Sequence, residues 1–149
     1  IVNATGQCQE SGRDQAHTQL GLGLLAECCE IAWNQGIDLY GAADNRLLRG
    51  YEYSARYNLG DDGVPFAAIT DTTGKYHHTA ISPEGRGRFR AVWEIAWNHY
   101  HGRRGLAMPW TQQVVEKLRP EGPGFQADNV GFGTLLFSQP AAETATDAR

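Results

Sequence analysis

Apolar residues at Phe89, Val92, Trp93, Ala96, Trp97 and Tyr100 recur three and four positions apart, the spacing of one face of an α-helix. This pattern predicts an amphipathic helix over 89–100. A second segment, 12–34, carries Leu20, Leu24, Cys28, Ile31 and Trp33 as its apolar content, with Gly36 placed to end it. Asp44 reads as the N-cap of a third helix over 44–57, with Leu47, Leu48, Tyr51 and Ala55 facing inward and Gly60 beyond its end. Pro109 in a first turn and Pro120 after Arg119 bracket a fourth, shorter helix. Strand-type alternation is not sustained anywhere, although 66–76 can form a short hairpin around Thr73-Gly74. The fold class read from the pattern is all-α.

The string EIAWN occurs twice, as Glu30 to Asn34 and as Glu94 to Asn98. A repeated Trp and small Ala at the same depth of two helices is a packing device, and it predicts stacked helical hairpins with the two strings at equivalent positions. The glycine-rich connections 61–88 and 121–133 are long for a small bundle. Loops of that kind more often line a site.

Composition narrows the function classes. The chain has 149 residues, 41% hydrophobic and 20% charged, which is one globular domain's worth and enough for a core. A formal charge of −4 gives no basic field for nucleic acid, so an acidic ligand must be met by a local cluster of Arg, His and Asn. No apolar run approaches the length of a membrane span, and Ile1-Val2-Asn3 lacks the regions of a signal peptide. Cys8, Cys28 and Cys29 have no zinc spacing and read as core residues.

Three polar clusters carry candidate chemistry. Arg13 and His17 share one face at the start of the 12–34 segment, either as a solvated first turn or as a stripe facing a cavity. Arg46 and Tyr53 are two helical turns apart, so an extended guanidinium can approach the phenol and lower its pKa, or the pair can be a surface Arg and a half-buried Tyr. Asn98 to Arg104, NHYHGRR, closes the strongest helix. His99 and His101 have no third ligand at metal spacing, and no metal or cofactor is expected.

The strings QESGRDQAHTQLGLGLLAE, EIAWNQGIDLYGAADNRLLRGYEYSARYNLG and WNHYHGRRGLAMPWTQQVVEKLRPEG resemble the alginate lyase-like domain of polysaccharide lyases, found in bacteria and fungi. The resemblance covers 1–137 and leaves 138–149 as a flexible tail. It implies an incomplete (α/α) toroid of helical hairpins, and cleavage of uronic-acid polymers such as alginate or glucuronan by β-elimination. It further implies an anionic polysaccharide as partner, with no nucleic acid and no membrane, and secretion or a periplasmic location. The family's upstream Asn-Asn motif has no counterpart here, so the resemblance is to the C-terminal part of the domain, with a missing N-terminal part as its structural partner.

The implied reaction needs the uronate carboxylate neutralised, a base for the C5 proton and an acid for the leaving O4. Residues matching the family's His, Arg and Tyr are His17, Arg46 and Tyr53, assigned to neutralisation or proton transfer, to carboxylate or phenolate stabilisation, and to base and acid. Tyr40, Tyr51 and Tyr100 are rivals for the last role. Arg13, Gln15, Asn98, His99 and Arg103 lie nearest the matching motifs and are assigned to substrate binding, at least two of Arg13, Asn98, His99 and Arg103 being expected to face the concavity of His17. Two other readings stay open. A glycoside hydrolase on a helical toroid would draw a carboxylate pair from Glu10, Asp14, Glu52 and Glu94. A non-catalytic carbohydrate-binding module would use Trp110 as its platform.

Overall fold

The computed structural model describes residues 2–125 and 128–138. The expected tail therefore lies, apart from Ser138, outside the described residues. Five helices dominate: α1 Gln15–Trp33, α2 Ala42–Asn58, α3 Trp93–Trp97, α4 Pro109–Leu118 and α5 Gly133–Phe137. A 3-10 turn, Gln9–Gly12, precedes α1, and α3 runs into a π-helical turn, Asn98–Arg103. The hairpin pairs β1 Ile69–Thr70 antiparallel with β2 His77–His78, two residues each. The protein is mostly α, as its periodicity implies. α2 packs on α1 and α4, and α3 packs on α1, α4 and α5.

Burial on α1 differs from the expectation. Leu22, Gly23, Ala26 and Cys29 face inward together with Gln15, Thr18 and Gln19, while Leu24, Cys28 and Ile31 point outward, Ile31 being 62% exposed. The reason is hydrogen bonding. Gln15 Nε2 donates to Ser82 O at 2.9 Å, Gln19 Nε2 donates to Arg88 O at 2.9 Å, and Gln19 Oε1 accepts from Arg90 N at 2.9 Å. These amides satisfy the backbone of the 59–92 connection, which would otherwise be buried unpaired. Gly23 completes the face, since a Cβ there would lie 2.7 Å from Val92 Cγ1. Gln15 is thus a structural strut, further held through its Oε1 by Asn58 Nδ2 at 3.0 Å, and not the exposed substrate ligand expected from its motif.

Two helix starts also move. Residues 89–92 do not join α3: Gln19 takes the Arg88 carbonyl, which would accept the first helical bond, and its Oε1 holds the Arg90 amide. Asp44 does not cap α2. Ala43, Asp44 and Asn45 form a left-handed turn with φ of 51°, 59° and 52°, and the Asp44 carboxylate pairs with Arg49 instead. Of the residues of α2 expected to face inward, Leu47, Tyr51 and Ala55 are buried and Leu48 is partly buried against the same core.

The repeated string does the same work twice. Glu30 takes both Nη groups of Arg103 at 2.8 and 2.7 Å, and Asn34 Nδ2 donates to Glu30 O at 2.9 Å. Glu94 takes Arg119 Nε and Nη2 at 2.6 and 3.0 Å, and Asn98 Nδ2 donates to Glu94 O at 2.9 Å. In each copy the Asn closes the turn that its Glu opens, and the Glu clasps an Arg from a later segment. Burial opposes ionisation of both carboxylates, but the facing guanidinium holds each below its usual pKa.

Glu121 secures the start of α3. Its Oε1 accepts from Trp93 N at 2.7 Å, and its own amide donates to Thr134 Oγ1 at 2.8 Å. The side chain is 5% exposed, and burial, with the Glu94 charge adding to it, pushes its carboxyl up to about 7. Between the ordinary carboxyl value and 7 the folded state keeps a proton that the unfolded chain has released, so stability falls as pH rises through that window. Glu121→Gln, which does not titrate, is expected to remove this slope. From about pH 5 to about pH 8 the parent should lose up to roughly 3 kcal/mol relative to the variant. Parallel melting-temperature profiles for the two proteins would rule the assignment out.

Candidate functional site

The 3-10 turn and the hairpin enclose a cavity of about 680 Å³, within the range of small-molecule sites. Gln9, Glu10 and Arg13 form one wall, Arg13 Nη1 pairing with Glu10 Oε2 at 3.3 Å, and Ile69, Tyr76 and His78 form the other. Close approach of the two walls depends on Gly12, where a Cβ would collide with the His78 side chain. The hairpin turn is held by Asp71, whose Oδ1 accepts from Tyr76 N at 2.8 Å and so fixes the aromatic residue on the cavity rim.

Behind Arg13 stands a His–carboxylate pair. Asp14 caps α1 by accepting from His17 N at 2.7 Å, and its other oxygen meets His17 Nδ1 at 2.6 Å. Arg13 Nε approaches that same oxygen at 3.7 Å. Although burial pushes the Asp14 carboxyl up, its bonds to the His17 amide and ring, with the charges of His17 and Arg13, hold it below the usual range. A carboxylate on Nδ1 fixes the imidazole and leaves Nε2 to exchange a proton. The His17 side chain is 37% exposed, and it stands beside the cavity-lining Arg13 without lining the cavity itself. Sequence spacing paired Arg13 with His17; the structure adds Asp14 as the link between them.

The other expected site residues lie elsewhere. Tyr53 is 5% exposed and lines a separate groove on α2, its hydroxyl donating to Pro65 O at 2.8 Å. Burial, then the neighbouring Tyr57, pushes its phenol up to about 12. The lowered pKa expected from an adjacent Arg46 is therefore corrected. Arg46 Nη1 turns to Val2 O at 3.4 Å, and its buried Nε has no partner among the described residues. Tyr40, Tyr51 and Tyr100 are fully buried, with hydroxyls given to Glu30, to Val92 O and to Tyr40 O at 3.0, 2.9 and 2.8 Å. Burial raises all three phenols, which fits donors in a core rather than bases.

Contrary to the expectation from their motif, Asn98, His99 and Arg103 do not share the concavity of His17. Arg103 grips Glu30, thirteen residues along α1 from His17, about 20 Å by helical rise. His99 is 1% exposed and stacked on Tyr40 at 3.7 Å, and burial, then Arg103, pulls it down to about 4. Asn98 is spent on Glu94, donating to its Oε2 at 2.7 Å. All three serve packing. Of the expected binding residues, only Arg13 faces the cavity next to His17.

Tyr76 and His78 were not among the expected site residues. The one signal was the hairpin expected over 66–76, which ends at Tyr76, and only the fold brings Tyr76 and His78 opposite Arg13, more than sixty residues away in sequence. Among the described residues no helix is long and apolar enough to cross a membrane. Comparison with protein-family models, curated proteins and solved structures finds no match to this chain.

Proposed function

We propose that the chain belongs to a polysaccharide lyase that cleaves a uronate polymer of alginate or glucuronan type by β-elimination. The observation that carries the reading is His17, held through Nδ1 by Asp14 beside the cavity-lining Arg13. The residue classes match the reaction's needs. A cation is needed to neutralise the substrate carboxylate, because removing the C5 proton builds a second negative charge next to it. Arg13 occupies that role. His17 Nε2 takes the C5 proton, the C–H electron pair becomes the C4–C5 double bond, and the C4–O4 bond breaks. Tyr76, whose hydroxyl has no partner among the described residues, is placed on the cavity wall to protonate the departing O4.

Support for a toroid of stacked hairpins comes from the twice-used Glu–Arg clasp, which ties each EIAWN helix to a later segment. Secretion and a longer parent domain rest on the family resemblance alone. Of the carboxylates the hydrolase alternative would use, Glu52 accepts from Trp110 N and Thr111 N at 3.2 and 2.8 Å and Glu94 is clasped by Arg119, which leaves Glu10, on the cavity wall, and Asp14, held by His17, as its remaining pair.

Incubation of the protein with alginate and with glucuronan tests the reading. A lyase generates an unsaturated uronate and ultraviolet absorbance along with each new chain end. New reducing ends without that absorbance would mean hydrolysis, and binding without products would leave a carbohydrate-binding module.

A further inference from the structure

The groove on α2 presents a different surface from the cavity at Arg13. Arg49, Glu52, Tyr53 and Arg56 follow one another at three, one and three residues, so they form a single helix face. With Pro65 and Trp110 they line a space of about 330 Å³. The two oxygens of Glu52 are taken by the amides of Trp110 and Thr111 at the start of α4. The arginines are less fully engaged. Arg56 uses only Nε, on Asp61 at 2.7 Å, and both of its Nη groups are without a protein hydrogen bond among the described residues. Its guanidinium carbon lies over the Trp110 ring, 5.9 Å from the ring centre, so a ligand on that face meets the cation and the ring together. Arg49 pairs with Asp44, whose side chain is 79% exposed, and Arg49 Nη1 donates to Ala4 O at 3.4 Å; an exposed pair of this kind contributes little stability. The Trp110 indole N–H makes no hydrogen bond among the described residues, and the ring is half-buried and held against the core.

We infer that this groove is a second binding site, for a carboxylated saccharide that lays one sugar ring on Trp110 and turns its carboxylate to the Nη groups of Arg56. An aromatic face takes the apolar side of a sugar ring, and a guanidinium fork takes a carboxylate in two parallel bonds. Arg49, two helical turns and about 10 Å from Arg56, receives the carboxylate of a neighbouring residue of the same chain. The space is too small for more than a short stretch of polymer, so the groove holds the chain while cleavage takes place at the Arg13 cavity. The choice of a uronate as ligand rests on the proposed lyase reading, but occupancy of the groove needs no catalysis.

The test is calorimetric titration of the His17→Gln protein, expected to consume its ligand at least about 10²-fold more slowly, with saturated tetraglucuronate and tetramannuronate, and with cellotetraose as the uncharged control. Acidic tetrasaccharides are expected to bind at least about tenfold more tightly than cellotetraose, with an affinity that falls as salt rises. Adding Trp110→Ala or Arg56→Gln should weaken acidic binding about tenfold, and Arg56→Gln should also flatten the salt dependence. Trp110→Phe, which keeps a ring against the core, guards against a fold defect in the alanine variant and should lie between the two. No binding of either acidic tetrasaccharide, equal binding of cellotetraose, or unchanged affinity in the Arg56→Gln and Trp110 variants overturns the inference. Intact groove binding in a protein that yields no unsaturated product would sink the lyase reading alone. Unsaturated product together with indifferent groove variants would sink the groove alone.

Discussion

His17→Gln is expected to lower the rate of unsaturated-product formation by about 10²-fold or more, the usual loss when a general base is removed. Glutamine retains a polar side chain that can still reach Asp14, and the helix cap on the His17 amide is untouched. Stability should therefore change by less than about 1 kcal/mol, and KM by little, which separates a chemical role from a structural one. Asp14→Asn should lower turnover less, about tenfold, because it weakens the orientation of the imidazole without removing it. Tyr53→Phe is the informative comparison. Its hydroxyl is committed to the Pro65 carbonyl, so the variant should lose about 1 kcal/mol of stability and keep near-parent turnover. A 10²-fold loss in Tyr53→Phe with an active His17→Gln would return the base to the tyrosine and reject the assignment to His17.

The second large effect is on stability. Arg119→Met leaves the Glu94 carboxylate, 1% exposed, with Asn98 and Thr134 as its remaining side-chain donors, at 2.7 and 2.8 Å. Glu94 is buried but Arg119 is 42% exposed, so losing the guanidinium costs less than breaking a fully buried pair, about 2–3 kcal/mol. For a chain of this size that is a drop of roughly 5–10 °C in melting temperature. The pair itself is worth less than this loss, because desolvation offsets most of the attraction. Glu94→Leu combined with Arg119→Met should accordingly recover a good part of the stability, and a double-mutant cycle measures the coupling. Arg103→Met should behave in the same direction, since Glu30 occupies the matching place in the first EIAWN. A change under about 1 kcal/mol in Arg119→Met would mean that the clasp is a solvated surface pair.

The parts of the fold written in local chemistry were legible in the sequence. Pro109 and Pro120 do bracket α4, since a ring at N1 suits a helix start and Pro120 follows directly after the C-capping Arg119. The hairpin around Thr73-Gly74 and the inward residues of α2 depend in the same way on near neighbours. The orientation of α1 does not. Its inward Gln15 and Gln19 find their partners at Ser82, Arg88 and Arg90, 67 to 71 residues away, and nothing in a glutamine's own sequence context announces a buried strut.

The candidate site follows the same division. His17 and Arg13 could be paired from helical spacing, because Asp14, His17 and the first turn of α1 are neighbours in sequence. Arg103 was drawn toward the site by its motif, yet its partner Glu30 is 73 residues back along the chain and turns it into a clasp. Arg46 and Tyr53 share a helix at favourable spacing, but spacing is silent about competing acceptors, and Val2 O and Pro65 O take both side chains.

The most direct measurement of the central claim is mass spectrometry of oligosaccharides released from alginate or glucuronan in water labelled with heavy oxygen. Elimination breaks the C4–O4 bond without adding water, so every new non-reducing end should be an unsaturated uronate, one water lighter than a saturated end, and cleavage should introduce no label. Saturated products carrying one heavy oxygen per cleavage would establish hydrolysis and contradict the lyase assignment.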